Sequence, residues 1–298
     1  VCGFFVWVGR FCVQFLNWQL APARANRYAA AMTESDTTNP IHQAEVPADA
    51  PESGAEARWF GFTPVDPAEK AGLVRAVFDS VSERYDLMND LMSAGVHRLW
   101  KATLMQLVRP QPGMTLLDVA GGTGDIALRF LEQGGGHVHI CDINESMLRV
   151  GRDRAINKGV LSHIDWVTGD AERLPIASRS VDAYTIAFGL RNVSGIDAAL
   201  AEARRVLKPG GRFFCLEFSH VVLPLLREVY DAYSFTILPK IGGFVAGDEA
   251  AYRYLVESIR KFPDQDSLAR RVAAAGFGQV RYRNLTGGIA AIHSGWRL

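Results

Sequence analysis

Residues 116–130 read LLDVAGGTGDIALRF, and this stretch decides the architecture. An apolar run of strand length ends in Gly121, Gly122, Thr123 and Gly124 and passes directly into the helical spacing of Ile126, Ala127 and Phe130. Glycines let a backbone come close to a ligand, and the helix that follows offers its unpaired N–H groups. A second apolar run, HVHICDI at 137–143, carries Asp142 at its end, 20 residues beyond Gly122. A carboxylate at that point can accept both hydroxyls of a ribose, so a nucleoside-containing ligand is expected. Gly122-x-Gly124-x-x-Ala127 also satisfies the dinucleotide fingerprint, so the loop alone does not choose the nucleoside. A P-loop is excluded, because no Lys-Ser or Lys-Thr follows the glycines.

Outward from this stretch the chain alternates strand and helix. Short apolar runs (IDWVTGD at 164–170, VDAYTIAF at 181–188, RFFCLEF at 212–218) are separated by helical stretches bounded by Gly, Pro or Asp. That rhythm predicts an α/β fold: a mostly parallel sheet with helices on both faces. A helix over DQDSLARRVAAAGF, stopped by Gly276, precedes two last strands, QVRYRNL and IAAIH.

Composition narrows the classes. With 298 residues, 48% hydrophobic, the chain can bury a core without staples. The 32 basic and 32 acidic side chains cancel, so no broad cationic field marks a nucleic-acid binder. Cys2, Cys12, Cys141 and Cys215 form no CxxC pair and no zinc spacing, so neither a disulfide scaffold nor a metal site is expected. The first 31 residues are apolar, carry Arg10, Arg24 and Arg27, and lack acids. A signal or spanning segment, a mitochondrial transit peptide and a start of translation at Met32 all compete there, the last being favoured. Residues 32–67 are rich in Pro, Ala and acids and read as a disordered tail, so residues 1–67 form an extension and the globular domain runs over 68–298. Val74, Val77, Phe78, Val81 and Tyr85 then recur at helical spacing.

Later residues choose the ligand. Gly169-Asp170-Ala171 follows the third strand, where a carboxylate can accept an adenine amine, and Leu207-Lys208-Pro209-Gly210-Gly211 leads into the fifth. With the glycine loop and Asp142, these resemble a class I S-adenosylmethionine-dependent methyltransferase. The runs AFGLRNV, YDAYSFTILPKIG, YRYLVESIRKFPDQ, YDLMNDLMSAGVHRLWK and NLTGGIAAIHSG resemble the UbiE family, the C-methyltransferases of ubiquinone and menaquinone biosynthesis, over residues 68–298. The likeness implies a Rossmann-like sheet with an antiparallel C-terminal strand and S-adenosyl-L-methionine as cofactor. Thr123, Asp142, Asp170 and Ala171 would hold it, with Gly121, Gly122 and Gly124 forming the loop. Asp118 would support that loop by bonding its amides. Where the family can carry a small hydroxyl near the end of the fourth strand this chain has Ala187, so no contact is assigned there.

The acceptor implied is a polyprenyl quinol, whose ring carbon becomes nucleophilic once an adjacent phenol loses its proton. Arg191 and Asn192, at the lip of the fourth strand, are expected to hold the phenolate oxygen, with Tyr85 completing the cluster. His97, His220 and His293 are bases by residue type only, and Cys141 and Cys215 read as buried apolar residues. An insertion at 219–263, apolar but broken by Pro224, Pro239, Gly242 and Gly243, is expected to form a lid for the prenyl tail and to touch the bilayer. A homodimer interface is the competing use of that surface, and a biosynthetic complex is a further expected association. The resemblance implies the cytoplasmic face of a membrane, or the mitochondrial matrix side if residues 1–31 are a transit peptide. Two alternatives stay open: the same fold acting on another small acceptor, and a noncatalytic cofactor-binding scaffold.

Overall fold

A computed structural model describes residues 59–81, 90, 93, 95–223, 228, 230 and 249–298. All of them belong to one compact unit, Ile41–Leu298. The expectations for residues 1–58, for Tyr85 and for most of the 219–263 insertion lie outside these residues.

Seven strands form the sheet: β3 (Thr115–Val119), β4 (His137–Asp142), β5 (Ile164–Thr168), β6 (Val181–Ala187), β7 (Leu207–Phe218), β8 (Gly278–Leu285) and β9 (Ala290–Trp296). Their order is β5-β4-β3-β6-β7-β9-β8. The pairs from β5 to β7 are parallel, whereas β9 runs antiparallel to both β7 and β8. The chain leaves β3 towards β4 on one side and later returns to β6 on the other. The crevice between the ends of β3 and β6 is therefore the topological switch point, where open α/β sheets bind ligands. The Leu207–Gly211 stretch, expected as a turn, is drawn into β7 as an irregularity: Val181 pairs with Leu207 and Ala183 with Arg212.

Among the described residues, seven helices accompany the sheet: α1 (Pro67–Val81), α2 (His97–Val108), α3 (Asp125–Glu132), α4 (Glu145–Asn157), α5 (Ile196–Val206), α6 (Glu249–Lys261) and α7 (Gln265–Ala274). Their ends follow local chemistry. Asn144 caps α4 by accepting from the Met147 N–H at 3.1 Å, and Asp264 caps α7 by accepting from Ser267 at 2.7 Å. Neighbouring strand residues feed opposite cores, as the pleat requires. Leu116 and Phe214 join Trp100, Leu104, Phe130 and Tyr252 on one face, while Leu117 and Phe213 join Leu200, Ala203, Leu268 and Val272 on the other. At about 1.5–3 kcal/mol per fully buried large apolar side chain, the two layers hold the switch point rigid.

The unfolded tail expected up to residue 67 is corrected at its end. Trp59–Phe60 (β1) pairs with Thr63–Pro64 (β2) as a small hairpin. A lone hairpin is marginal in water, but this one docks on α6. Phe60 stacks on Tyr254 at 4.2 Å between ring centroids, the Lys261 ammonium lies 3.8 Å from the Trp59 ring centroid, and the Phe62 N–H donates to Glu257 at 3.0 Å. Three aromatic residues, Trp59, Phe60 and Phe62, in an otherwise acidic, small-residue stretch supply the apolar surface that the average composition hid.

Candidate active site

The glycine loop leaves β3 through Ala120, whose φ is 49°, and continues through Gly122 at 51° and Gly124 at 76°. A Cβ at Gly124 would lie 3.0 Å from the Trp166 ring, and one at Gly121 would meet Ile140 at 2.7 Å and Asp118 at 2.9 Å. The loop is thus pressed flat against its own strands, with the Gly121 N–H donating to the Cys141 carbonyl at 3.4 Å and the Gly124 N–H to the Gly121 carbonyl at 2.8 Å. Phe188, at the end of β6, also takes a positive φ of 58°, so both strands bordering the switch point end in left-handed non-glycine residues.

Asp142 is half-buried at the end of β4. One carboxylate oxygen accepts the Gly122 N–H and the other the Asn144 N–H, each at 2.8 Å. Burial pushes this carboxyl up to about 6, against the pull of the N–H groups of Asn144, Gly122 and Ile143. Thr123 is buried in the loop, its hydroxyl accepting from Arg154 at 3.2 Å. Asp170, half-buried, accepts the Glu172 N–H at 2.9 Å, which shapes the turn that carries buried Ala171. The expected cofactor residues therefore stand at the ends of β3, β4 and β5, on one edge of the sheet.

Asp118 differs from expectation. Its carboxylate does not bond the loop amides but accepts the Thr185 hydroxyl at 2.8 Å, because Thr185 is its register partner on β6. The other oxygen, Oδ2, is buried with no partner among the described residues. Burial, which outweighs the Thr185 bond, raises this carboxyl to about 7. An orphaned buried carboxylate oxygen beside a loop with no room for a Cβ suits a ligand that is cationic near the loop and carries a ribose at Asp142. S-adenosylmethionine, a sulfonium with an ammonium group, fits that donor set.

After β6 comes a 3₁₀ turn, Leu190–Asn192, which brings Arg191 and Asn192 together. Arg191 is fully buried rather than a surface cap. Its Nη1 donates to the Glu217 carboxylate at 2.8 Å and to the Phe188 carbonyl, while Nε and Nη2 have no partner among the described residues. Burial lifts Glu217 above the usual carboxylate range in spite of Arg191. Asn192 accepts from the Tyr254 hydroxyl at 3.0 Å, and burial raises that phenol too. Arg191 and Tyr254 line a cavity of about 190 Å³ with Trp59, Lys70 and Lys261. Helix α1 closes this side: Lys70 donates to the Val193 carbonyl at 3.0 Å, and further along Asp79 accepts from Asn144 at 2.9 Å and Ser146 at 2.6 Å.

The three histidines serve the architecture. His97 meets Asp90 at 2.8 Å, and His220 and His293 each meet a backbone carbonyl, of Phe262 and Gln265, at 2.9 Å. Sequence spacing missed one further cluster: His137 and His139, on one face of β4, both reach the Asp165 carboxylate on β5, at 2.8 and 2.9 Å. These three side chains stand close enough to hold a metal ion, a grouping that Cys/His zinc spacing does not cover. The cluster lies along the strands away from Asp142, and no step of the chemistry below uses it.

Comparison with known proteins agrees with this geometry. The chain is 59% identical over 250 residues to the ubiquinone/menaquinone biosynthesis C-methyltransferase UbiE of Brucella abortus (strain S19), covering 83% of this chain and 93% of that one. It is 59% identical over 249 residues to the protein of that name from Brucella anthropi, covering 82% and 95%. Among solved structures, a SAM-dependent methyltransferase from Thermotoga maritima superposes with a TM-score of 0.53 at 17% identity, over 74% of this chain and 100% of the other. The [4+2]-cyclase SpnF superposes at 0.52 and 17% identity, over 76% and 96%, so the fold by itself does not fix the reaction. The model of the ubiE/COQ5 methyltransferase family matches residues 66–297, nearly the whole described part, and the chain belongs to that family.

Proposed function

We propose that this methyltransferase moves the methyl group of S-adenosyl-L-methionine to a ring carbon of a polyprenyl benzoquinol or demethylmenaquinol. The names printed for the Brucella relatives support the substrate class. The observation that carries the reading is Arg191: a buried guanidinium with two donors unsatisfied among the described residues, on the turn that follows the strand bordering the cofactor loop.

The cofactor, when bound, supplies an electrophilic methyl group. Everything else is left to this chain. Gly121, Gly122, Thr123 and Gly124 seat it, Asp142 accepts the ribose hydroxyls, and Asp170 with Ala171 borders the adenine. On the acceptor, an ionised phenol next to the reacting carbon pushes electron density onto the ring, so the quinol reacts and the quinone does not. Nε and Nη2 of Arg191 donate to that oxygen and favour its ionised form. Asn192, its amide fixed by Tyr254, is the second donor. The ring proton lost on rearomatisation leaves through water. The prenyl tail keeps its owner in a bilayer, so the enzyme works at a membrane surface, on the cytoplasmic face. Val222 and Leu223, exposed at the start of the 219–263 insertion, begin the surface that meets it. No helix among the described residues is long and apolar enough to cross.

Arg191→Met tests the reading. It keeps the length of the side chain and removes its donors, so S-adenosylhomocysteine affinity stays within about twofold while kcat falls by roughly 100-fold or more. A variant that methylates at the wild-type rate contradicts the role given to Arg191.

A further inference from the structure

Glu217 lies inside an otherwise apolar strand end, FFCLEF at 213–218, and is 1% exposed. Its carboxylate is fixed by the backbone as well as by Arg191: Oε1 accepts the Phe218 N–H at 2.8 Å and Oε2 the Arg191 N–H at 3.4 Å. The guanidinium is therefore gripped on one side, with Nη1 shared between Glu217 and the Phe188 carbonyl and Cζ 5.8 Å from the Phe218 ring centroid. Its other donors, Nε and Nη2, lie on the part that nothing described here holds. A guanidinium is planar, so fixing Nη1 at two points fixes the direction of the remaining N–H groups. Desolvating such a cation with idle donors is costly unless a further acceptor arrives.

We propose that Glu217 is a positioning residue for methyl transfer: it anchors Arg191 to the end of β7 so that Nε and Nη2 are already aimed when the acceptor oxygen enters. The inference rests on the reading that Arg191 meets that oxygen. It assigns Glu217 no contact with substrate or cofactor. Removing the anchor leaves the acceptor pocket in place but lets the donors swing, and misplacement by about 1 Å costs about 100-fold in rate.

Three variants of the full chain decide it, assayed with a chemically reduced demethyl quinol, with S-adenosylhomocysteine binding as the measure of an intact fold. Glu217→Asp keeps the charge and shortens the arm by one methylene. It is expected to bind S-adenosylhomocysteine as the wild type does, to keep the quinol KM within about threefold, and to lose kcat by at least roughly tenfold. Arg191→Met and the double variant Glu217→Asp/Arg191→Met supply the coupling. If Glu217 acts through Arg191, the double variant is no slower than Arg191→Met alone. A folded Glu217→Asp with wild-type kcat overturns the inference, as does parallel loss of cofactor affinity and rate in that variant, or a double variant whose losses multiply. Should Arg191→Met itself keep wild-type kcat, the reading of Arg191 falls first, which is a separate outcome.

Discussion

Asp142 joins structure and function in a single carboxyl group. In the free protein its pKa stands at about 6 because burial outweighs three backbone N–H bonds. Raised above its unfolded value, this group makes the unliganded fold lose stability as pH climbs from about 4 to about 6. In the proposed ribose role binding works in the opposite sense, since the ionised carboxylate would be the form that accepts two hydroxyls. S-adenosylhomocysteine should therefore bind about tenfold more weakly at pH 5 than at pH 7.5, because one unit below the pKa only about a tenth of the groups are ionised. Calorimetric titration of the wild type and of Asp142→Asn checks it: the variant binds weakly with a flat profile, and a flat profile in the wild type removes Asp142 from the ribose. The position of Asp142, at the end of β4 against the glycine loop, was legible in the sequence because that spacing is set by one strand-helix-strand unit. The partner of Asp118 was not. It depends on which residue of β6 falls in register beside it, and register between strands far apart in the chain leaves no local mark. Glu217 did leave one, an acid in a run of buried apolar residues, and its meaning depended on Arg191 arriving from the neighbouring strand.

Helix α4 shows how an element sets the site from behind. Gly151 lies on its inner face, where a Cβ would come 2.5 Å from the Trp166 ring and 2.9 Å from the carbonyl carbon of Thr123. Gly151→Ala gains about 1 kcal/mol of helix propensity, but overpacking against an indole and a backbone costs about 1–3 kcal/mol. The second term wins. The variant should melt at a lower temperature and bind S-adenosylhomocysteine several-fold more weakly, because the displaced atoms belong to the cofactor loop. A thermal melt with and without that ligand measures both effects, and a variant more stable than the wild type with unchanged affinity contradicts this packing account. The helix itself was readable from its alternation with the strands; the need for glycine at that one position was not, since it comes from the indole on β5.

At the scale of the whole molecule, the sheet order puts the cofactor loop and the Arg191 turn on adjacent strands, and α1 reaches both. Its early residue Lys70 meets the chain just past Arg191, and Asp79 meets the cap of α4 just past Asp142. The glycine loop and the Arg191 turn thus share one roof, and the hairpin on α6 extends it over the cavity at Arg191. The alternation of strands and helices made this architecture readable in advance. The hairpin left no mark in the average composition because three aromatic residues, Trp59, Phe60 and Phe62, were averaged into an acidic stretch. The central claim is transfer of a methyl group to a ring carbon, and it is tested most directly by the position of an isotopic label. Purified protein is incubated with methyl-deuterated S-adenosyl-L-methionine and chemically reduced demethyl benzoquinol or demethyl naphthoquinol, and the products are read by mass spectrometry. The account predicts one trideuteromethyl group on a ring carbon of at least one quinol. Label on oxygen, or no label in either quinol from protein that still binds S-adenosylhomocysteine, would contradict it.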